Sequence, residues 1–226
     1  MTIKLVLSIG ASVGIMAALL FVPAGTLNWP SAWITLAFYL IGTVLRSVDL
    51  SQSGMDLLRE RLKPPFQRGQ PLADKIVLMV LIVSFYAMIV LAALDIFRFH
   101  LMPTPPIHMQ VLGFLLAFLG WSIAWAGLRE NAFAASVVRL QEERRQTVVD
   151  TGAYSIVRHP IYAGRALLTI GLPLWLGSYA ATIFALIPTM ALIARIVIEE
   201  QLLKRDLGGY DDYTTRVRYR LIPSIW

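Results

Sequence analysis

Six long apolar runs constrain the fold of this chain more strongly than any other feature of its sequence. Several of them approach or exceed the roughly 20 residues that an α-helix needs to cross the hydrocarbon core of a bilayer. The runs therefore predict an all-α protein, a polytopic transmembrane helix bundle of about six spans, whose last two spans form a tight hairpin at Gly177 and Ser178. The expected spans extend from about Leu5 to Val22, Ser31 to Leu45, Ile76 to Phe97, Met109 to Leu128, Pro160 to Leu176 and Tyr179 to Ile198.

The composition agrees with a membrane protein and excludes several other classes. Of the 226 residues, 57% are hydrophobic and 15% are charged, whereas soluble domains carry about 25% charged residues. The absence of cysteine excludes disulfides, thiolate metal sites and a cysteine nucleophile, and no pair of histidines has the spacing of a metal site. The first run carries one lysine, Lys4, and no convincing cleavage site follows it. We therefore expect a mature membrane helix there rather than a signal peptide.

The lysine and arginine residues predict the orientation of the helices. They cluster in the loop from Arg46 to Lys75, in the segment from Arg129 to Arg165 and after the last span, whereas the turn between the first two runs has none. The first cluster contains Arg46, Arg59, Arg61, Lys63, Arg68 and Lys75. Because basic loops stay on the cytoplasmic side, both termini are expected in the cytoplasm. These loops also explain the formal charge of +6, so we expect no nucleic-acid partner.

A polar stretch stands at the start of the fifth run. Arg158 and His159 come directly before the expected helix, Pro160 begins it, and Tyr162 and Gly164 follow. Proline is well placed in the first turn of a helix, where its missing N–H breaks no hydrogen bond, and the glycine allows a neighbouring helix or a ligand to approach closely. A helix start of this kind suits a polar, partly anionic ligand. The alternative is that the arginine anchors the helix at lipid headgroups.

A second polar cluster closes the sixth run. Arg195 and Glu199 are four residues apart and share one face of a helix, whereas Glu200 points about a hundred degrees away. One interpretation is an ion pair within the helix, although arginine before glutamate is the less favourable order. Three charges at the end of a span are expensive, so partners or ligands are expected for them.

The spacings within and after these clusters resemble those of a known family. The first cluster reads Gly152-x-Tyr154-x3-Arg158-His-Pro-x-Tyr162-x-Gly164. The second reads Glu199-Glu200-x2-Leu203-x4-Gly208, then Tyr210-x2-Tyr213 and Val217-x-Arg-x3-Ile222-Pro223, and Asn131-x-Phe133 lies ahead of both. This pattern resembles the signature of the isoprenylcysteine carboxyl methyltransferase family and its phospholipid methyltransferase relatives. We therefore divide the chain into four N-terminal transmembrane spans, residues 1–128, and a methyltransferase-like region, residues 129–226.

The resemblance implies an integral membrane enzyme that transfers a methyl group from S-adenosylmethionine to a lipophilic substrate. In such enzymes the C-terminal segment closes a cytoplasmic cofactor pocket, and the substrate enters from the bilayer. By position, Arg195 and Glu199 would be catalytic: Arg195 would face the reacting group of the substrate, and Glu199 would meet the ammonium of the methionine moiety. The cofactor-binding residues would be Gln146, Thr147, Val148, Val149, Tyr154, Arg158, His159, Pro160, Tyr162, Glu199 and Glu200. No metal is expected.

The charged residues also favour one class of methyl acceptor. Methyl transfer from a sulfonium is an in-line displacement that depends on positioning and on a dry site. A carboxylate acceptor needs a cation to orient it, which Arg195 provides. An amine acceptor would instead need a base such as Glu199 or Glu200. We therefore expect a carboxylate, with a phospholipid amine or a thiol as the alternative.

Two other classes of function are weighed against a methyltransferase. Sterol reductases that use NADPH have a similar C-terminal cofactor region, but such chains are usually longer, with roughly ten spans. A non-catalytic carrier or subunit would line a path through the bilayer with charges, whereas the charges here gather at one face. We expect a multi-pass protein of a bacterial inner membrane or the endoplasmic reticulum, with its active site facing the cytoplasm.

Overall fold

The computed structural model describes residues 2–53, 63–67 and 69–226. Within these residues it contains eight α-helices and no strand, so the predicted all-α class is confirmed. Arg59, Arg61 and Arg68 of the predicted basic loop lie outside the described residues. The helices are α1 (Thr2–Ala24), α2 (Pro30–Ser53), α3 (Leu72–Leu94), α4 (Ile107–Glu130), α5 (Pro160–Leu176), α6 (Tyr179–Phe184), α7 (Leu186–Asp206) and α8 (Tyr210–Arg216). A π-helical turn, Asp95–Phe99, extends α3, and 3-10 turns occur at Glu142–Arg144 and Gly152–Ser155.

The described helices agree with the prediction of about six spans. Five stretches are long and apolar enough to cross a membrane: Leu5–Ala24, Pro30–Asp49, Leu72–Phe99, Ile107–Glu130 and Tyr179–Asp206. The sixth, α5, has 17 residues, which gives a length of about 25 Å at 1.5 Å per residue.

The last span is not one straight helix, contrary to the single run drawn from the sequence. It breaks at Ala185, between α6 and α7. The break has a local cause, because Pro188 has no N–H to donate to the carbonyl group four residues earlier, at Phe184.

Glycines allow α4 and α5 to pack with their backbones in contact. Gly113 and Gly120 of α4 face Gly171 and Gly164 of the antiparallel α5. A Cβ atom at Gly113 would lie 2.8 Å from the carbonyl oxygen of Gly171, and one at Gly164 would lie 2.5 Å from the backbone nitrogen of Ala124. Any larger residue would therefore push the helices apart. The close helix approach predicted at Gly164 is confirmed.

The predicted hairpin closes the end of the bundle at which α5 ends. Gly177 has a φ of 104°, and the N–H groups of Gly177 and Ser178 donate to the carbonyl of Pro173 at 3.1 and 3.0 Å. The hydroxyl of Ser178 accepts a hydrogen bond from the N–H of Ala181 at 3.0 Å, which caps α6, and donates to Asp95 at 2.6 Å. The hairpin is therefore tied both to its own helix and to the end of α3.

The opposite end of the bundle, which we call the basic end, carries the segment 131–159 and the tail after α7. Leu5 of α1 packs there with Leu128, Ala134 and Ile161, which places the N-terminal helix start and the tail at the same end. The location of this end in the cytoplasm stays a prediction from the positive-inside rule, and so does the division of the chain at residue 128.

Candidate active site

A polar cavity lies at the basic end, between the start of α5, the end of α7, the segment 131–149 and α8. Ten of the twelve predicted site residues line it: Gln146, Thr147, Val148, Val149, Tyr154, Arg158, His159, Tyr162, Arg195 and Glu199. The other two, Pro160 and Glu200, are buried behind the wall. Two clusters that are far apart in the sequence thus meet around one space.

Gln141, which is 1% exposed, holds the loop that forms one wall of the cavity. Its side-chain NH2 group donates to the carbonyl of Phe133 at 2.6 Å, and its side-chain oxygen accepts from Nη1 of Arg144 at 2.6 Å. Its backbone N–H donates to Oε1 of Gln146 at 3.0 Å. These bonds fold the loop back on itself and lay residues 146–149 along the cavity. No motif in the sequence pointed to Gln141.

The tail is fastened to the start of α5 by backbone hydrogen bonds. The N–H groups of Arg158 and His159 donate to the carbonyls of Tyr219 and Arg220, both at 2.9 Å. Nη1 of Arg158 also donates to the carbonyl of Val217 at 3.0 Å. The Arg-His pair therefore attaches the C-terminal segment to the start of α5, which is a more specific role than anchoring at lipid headgroups.

Glu200 joins three parts of the site. Its Oε1 lies 2.7 Å from Nε of Arg158 and 3.2 Å from Nε2 of His159, and its Oε2 lies 2.8 Å from Nε of Arg220. Glu200 and Arg158 are 4% and 7% exposed, so the ion pair between them is shielded from water and is a charge-assisted hydrogen bond. Glu200 thus connects α7, the start of α5 and the tail, and it shapes the cavity from behind its wall.

Glu199, the neighbour of Glu200, faces the cavity. Its Oε2 accepts a hydrogen bond from the hydroxyl of Tyr162 at 2.7 Å. Its Oε1 has no hydrogen bond within the described residues, and no ion pair joins it to Arg195, four residues earlier. A half-buried carboxylate with an available oxygen can bind a cationic group of a ligand.

Arg195 is held in a buried ion pair that the sequence did not predict. Its Nε lies 2.9 Å from Oδ1 of Asp74, and its Nη2 donates to the carbonyl of Ser136 at 2.7 Å. Oδ2 of Asp74 accepts from Nε2 of Gln70 at 2.6 Å and from the N–H of Val138 at 3.1 Å. Arg195 and Asp74 are 2% and 0% exposed. The pair therefore fixes α3 and the wall segment to α7.

This pairing limits what Arg195 can offer a ligand. Two of its three nitrogens are engaged, which leaves Nη1 as the nitrogen without a hydrogen bond in the described part of the chain. Its guanidinium carbon lies 6.0 Å from the centre of the Tyr162 ring, at the cavity wall. The Nε and Nη2 atoms are occupied by Asp74 and Ser136, so Arg195 has no second nitrogen with which to bind an acceptor carboxylate in a bidentate manner. Asp74 stands two residues before an apolar run, which was the one signal for it in the sequence.

Two tyrosines of α8 complete the cavity. The hydroxyl of Tyr213 donates to the carbonyl of Tyr154 at 2.8 Å. The hydroxyl of Tyr210 is buried and has no hydrogen-bond partner among the described residues. Burial raises the pKa of both tyrosines, and the charges of Glu200 and Glu199 raise that of Tyr210 further, so both are proton donors at neutral pH. A buried, unpaired hydroxyl costs about 1–3 kcal/mol, and an acceptor atom of a ligand would remove that cost. The motif contained Tyr210, but nothing in its spacing singled out the hydroxyl.

Apolar helices surrounding a polar cavity at one end define a multi-pass membrane protein with an enclosed candidate active site. The sequence model of the phospholipid methyltransferase family matches residues 108–209, which include α4, α5, α7 and the loop wall of the cavity. Over this region the chain is similar to that family of membrane methyltransferases. No curated protein matches the chain.

Proposed function

We propose that the protein is an S-adenosylmethionine-dependent methyltransferase whose acceptor is lipophilic, as the isoprenylcysteine carboxyl methyltransferases are. One observation carries this proposal: the residues that resemble the family signature surround a single cavity, which α8 also lines. The match to the phospholipid methyltransferase family supports the same class of reaction.

The residues around the cavity fit the cofactor in three respects. Glu199 offers an anionic oxygen for the ammonium of the methionine moiety. Tyr210 offers a buried hydroxyl that lacks a partner within the described residues. Residues 146–149, two polar residues followed by two valines, provide a wall for the adenosine end. The unpaired hydroxyl is the observation that most directly calls for a ligand, because nothing in the described protein removes its cost.

When bound, S-adenosylmethionine would supply a methyl group: the acceptor's lone pair would form a bond to the methyl carbon as the bond from that carbon to the sulfonium breaks, and the electron pair of the broken bond would stay on sulfur as a neutral thioether. The chain's own residues position and shield this reaction. Tyr162, held by Glu199, and Arg195, held by Asp74, form a fixed part of the cavity wall. A carboxylate acceptor would be oriented there by cations and would need no base. Positioning and exclusion of water are the contributions expected of such a site.

A phospholipid amine is the second candidate acceptor, and the description of the matched family favours it. An amine must lose a proton before or during transfer, and Glu199 is the carboxylate that faces the cavity. However, the cavity wall also carries Arg165, whose charge no ion pair compensates within the described residues, and such a cation disfavours a cationic acceptor. The carboxylate therefore remains our first choice.

Calorimetry with S-adenosylhomocysteine on the purified full-length protein in nanodiscs tests the cofactor assignment. We expect Glu199→Gln to weaken binding about 10- to 100-fold, because a hydrogen bond to a charged group contributes about 1.5–3 kcal/mol. Glu143→Gln changes a carboxylate whose side chain is 54% exposed and serves as the matched control. Binding of NADPH with no response to the adenosyl ligand would contradict the proposal.

Turnover separates the acceptor side from the cofactor side. With radiolabelled S-adenosylmethionine and native membranes as the source of acceptor, we expect Arg195→Ala to retain cofactor binding and to lose methyl transfer. If cofactor affinity falls as far as turnover does, Arg195 does not act on the acceptor. The labelled product, extracted and identified by mass spectrometry, reveals whether a carboxylate, an amine or a thiol was methylated.

A further inference from the structure

The end of the tail exposes apolar and basic side chains next to one another. Ile222 and Ile225 are 52% and 76% exposed, and Tyr219 is 37% exposed. Arg218 is exposed as well, and Trp226 is partly exposed. We call these five residues the tail surface. Exposed apolar side chains that stand together mark a surface that contacts a partner or a membrane.

Hydrogen bonds and a ring contact hold the tail surface in a defined turn. The N–H of Ile222 donates to the carbonyl of Trp226 at 3.1 Å, and the N–H of Trp226 donates to the carbonyl of Ile222 at 3.2 Å. The guanidinium carbon of Arg220 lies 5.1 Å from the centre of the Trp226 ring. Arg220 is in turn paired with Oε2 of Glu200 at 2.8 Å. The exposed isoleucines therefore belong to an ordered turn that is fixed to the end of α7.

The tail surface lies at the depth of the membrane boundary. The N–H of His159 donates to the carbonyl of Arg220 at 2.9 Å, and the next residue, Pro160, begins the 17-residue span α5. At about 25 Å, α5 is no longer than the hydrocarbon core, so its start lies at the boundary. Ile222 follows Arg220 by two residues, which reach at most about 7 Å. The headgroup region is about 5–8 Å deep, so Ile222 lies within this region or next to it.

The charge of the tail changes sign along its length. The first turn of α8 exposes Asp211 and Asp212, whereas residues 217–226 contain two arginines and no acidic residue. Arg220 is engaged by Glu200, but the side chain of Arg218 has no ion pair to any residue that the structure describes. Aromatic and aliphatic side chains beside a cation match the interface of a membrane that contains anionic lipids.

We propose that the tail surface docks on the headgroup layer of the protein's own membrane and prefers anionic lipids there. In this arrangement Ile222 and Ile225 enter the boundary between headgroups and acyl chains, and Arg218 pairs with anionic headgroups. The partner is a lipid surface rather than a soluble protein, because the turn is level with the membrane boundary and carries a cation beside its apolar side chains. This inference goes beyond the proposed methyltransferase reaction and does not depend on it.

Single cysteines measure the docking at one position each, because the chain contains no other cysteine. Ile225→Cys reports on the tail surface, and Asp211→Cys, at an exposed position of α8, is the matched control. The full-length protein is placed in nanodiscs of phosphatidylcholine with or without phosphatidylglycerol, and modification by an uncharged polyethylene glycol maleimide is timed. We expect Ile225→Cys to react about 5-fold more slowly in the anionic nanodiscs, as one basic residue near an anionic surface predicts. Asp211→Cys should react at the same rate in both.

Variants in the Ile225→Cys background separate the charge from the apolar contact. Arg218→Ala should abolish the effect of the anionic lipid, whereas Arg218→Lys should keep it. Comparing these variants in the same nanodiscs also corrects for the lower local pH at an anionic surface. Ile222→Ser should speed modification in both lipids, because less apolar surface enters the membrane. Arg205→Ala, at a side chain that is 73% exposed, should change nothing. An unchanged melting temperature in phosphatidylcholine nanodiscs verifies that each variant is folded.

A spin label on the same cysteines identifies what the tail surface contacts. In lipid a label collides with oxygen more than with a water-soluble nickel chelate. We expect this preference for Ile225→Cys and the reverse for Asp211→Cys. Preferred collision with the nickel chelate at position 225, or an equal maleimide rate in the two lipids, overturns the proposal.

Low collision with both reagents indicates contact with protein, such as a second copy of the chain, and also overturns docking on lipid. None of these measurements involves the cofactor. A protein that binds no S-adenosylhomocysteine would therefore contradict the proposed function and leave this inference standing.

Discussion

Replacing Asp74 with asparagine removes the carboxylate that compensates Arg195 and keeps the shape of the side chain. Both residues are at most 2% exposed, so the variant leaves a buried guanidinium without a counter-charge. Removing one partner of a buried ion pair costs about 3–5 kcal/mol. For a chain of this size each kcal/mol lowers the melting temperature by about 2–4 °C. We therefore expect Asp74→Asn to lower it by on the order of 10 °C.

Scanning fluorimetry of the purified protein in detergent, at one fixed scan rate, measures this change. Asp206→Asn is the matched control, because Asp206 pairs with Arg205 at 2.7 Å in an exposed position, where such pairs contribute about 0–1 kcal/mol. Asp74→Leu combined with Arg195→Met removes both charges at once. Since replacing a buried pair with apolar residues is often neutral or stabilising, this double variant should melt well above Asp74→Asn.

Two results would refute this reasoning. One is a decrease for Asp74→Asn that is as small as the decrease for Asp206→Asn. The other is a decrease in melting temperature for the double variant that equals the sum of the decreases for Asp74→Leu and Arg195→Met alone. Residues in direct contact should instead show an interaction energy, whereas distant ones do not. Either result would mean that Arg195 finds its compensation elsewhere.

Two further predictions concern the tail and the helix pair α4–α5. Glu200→Gln removes the carboxylate that Arg158, Arg220 and the tail share. We therefore expect faster tryptic cleavage of the tail and about 10-fold weaker binding of S-adenosylhomocysteine. Asp211→Asn, an exposed change on α8, should alter neither. Gly120→Leu places a side chain against the backbone of Gly164 and should lower the free energy of unfolding by about 1–3 kcal/mol or more. This loss should appear as a lower melting temperature and a lower yield. Gly14→Leu, with open space around its Cβ position, should be tolerated.

The apolar runs were sufficient to predict the class of fold, because span length and hydrophobicity act locally along the chain. The hairpin was equally local, since Gly177 and Ser178 leave room only for a tight turn. The break at Ala185 was missed because apolar residues continue through it, and the helix is interrupted by the missing N–H of Pro188 rather than by polarity.

The candidate site was predictable where spacing along one helix determines direction and not where partners come from distant helices. Tyr162 and Glu199 belong to the two signature clusters, and both line the cavity. Asp74 is 121 residues away from Arg195 and belongs to the part of the chain without a motif. Arg46, a charged neighbour of Arg165, lies there too. The charged neighbours of Arg195 and Arg165 thus depend on how α2 and α3 pack against α7 and α5. A local sequence pattern contains no information about that packing.

Glu199 and Glu200 explain how one helix end can both face the cavity and attach the tail. Consecutive residues on a helix point about 100° apart, so Glu199 faces the cavity while Glu200 reaches the tail. Both contact the start of α5, Glu199 through Tyr162 and Glu200 through Arg158. Loosening of the tail therefore removes support from the same turn of α5 that holds Tyr162 against the cavity. Because a coupling between two sites is reciprocal, a ligand that binds Glu199 should stabilise the attached tail as much as the attached tail stabilises the bound ligand.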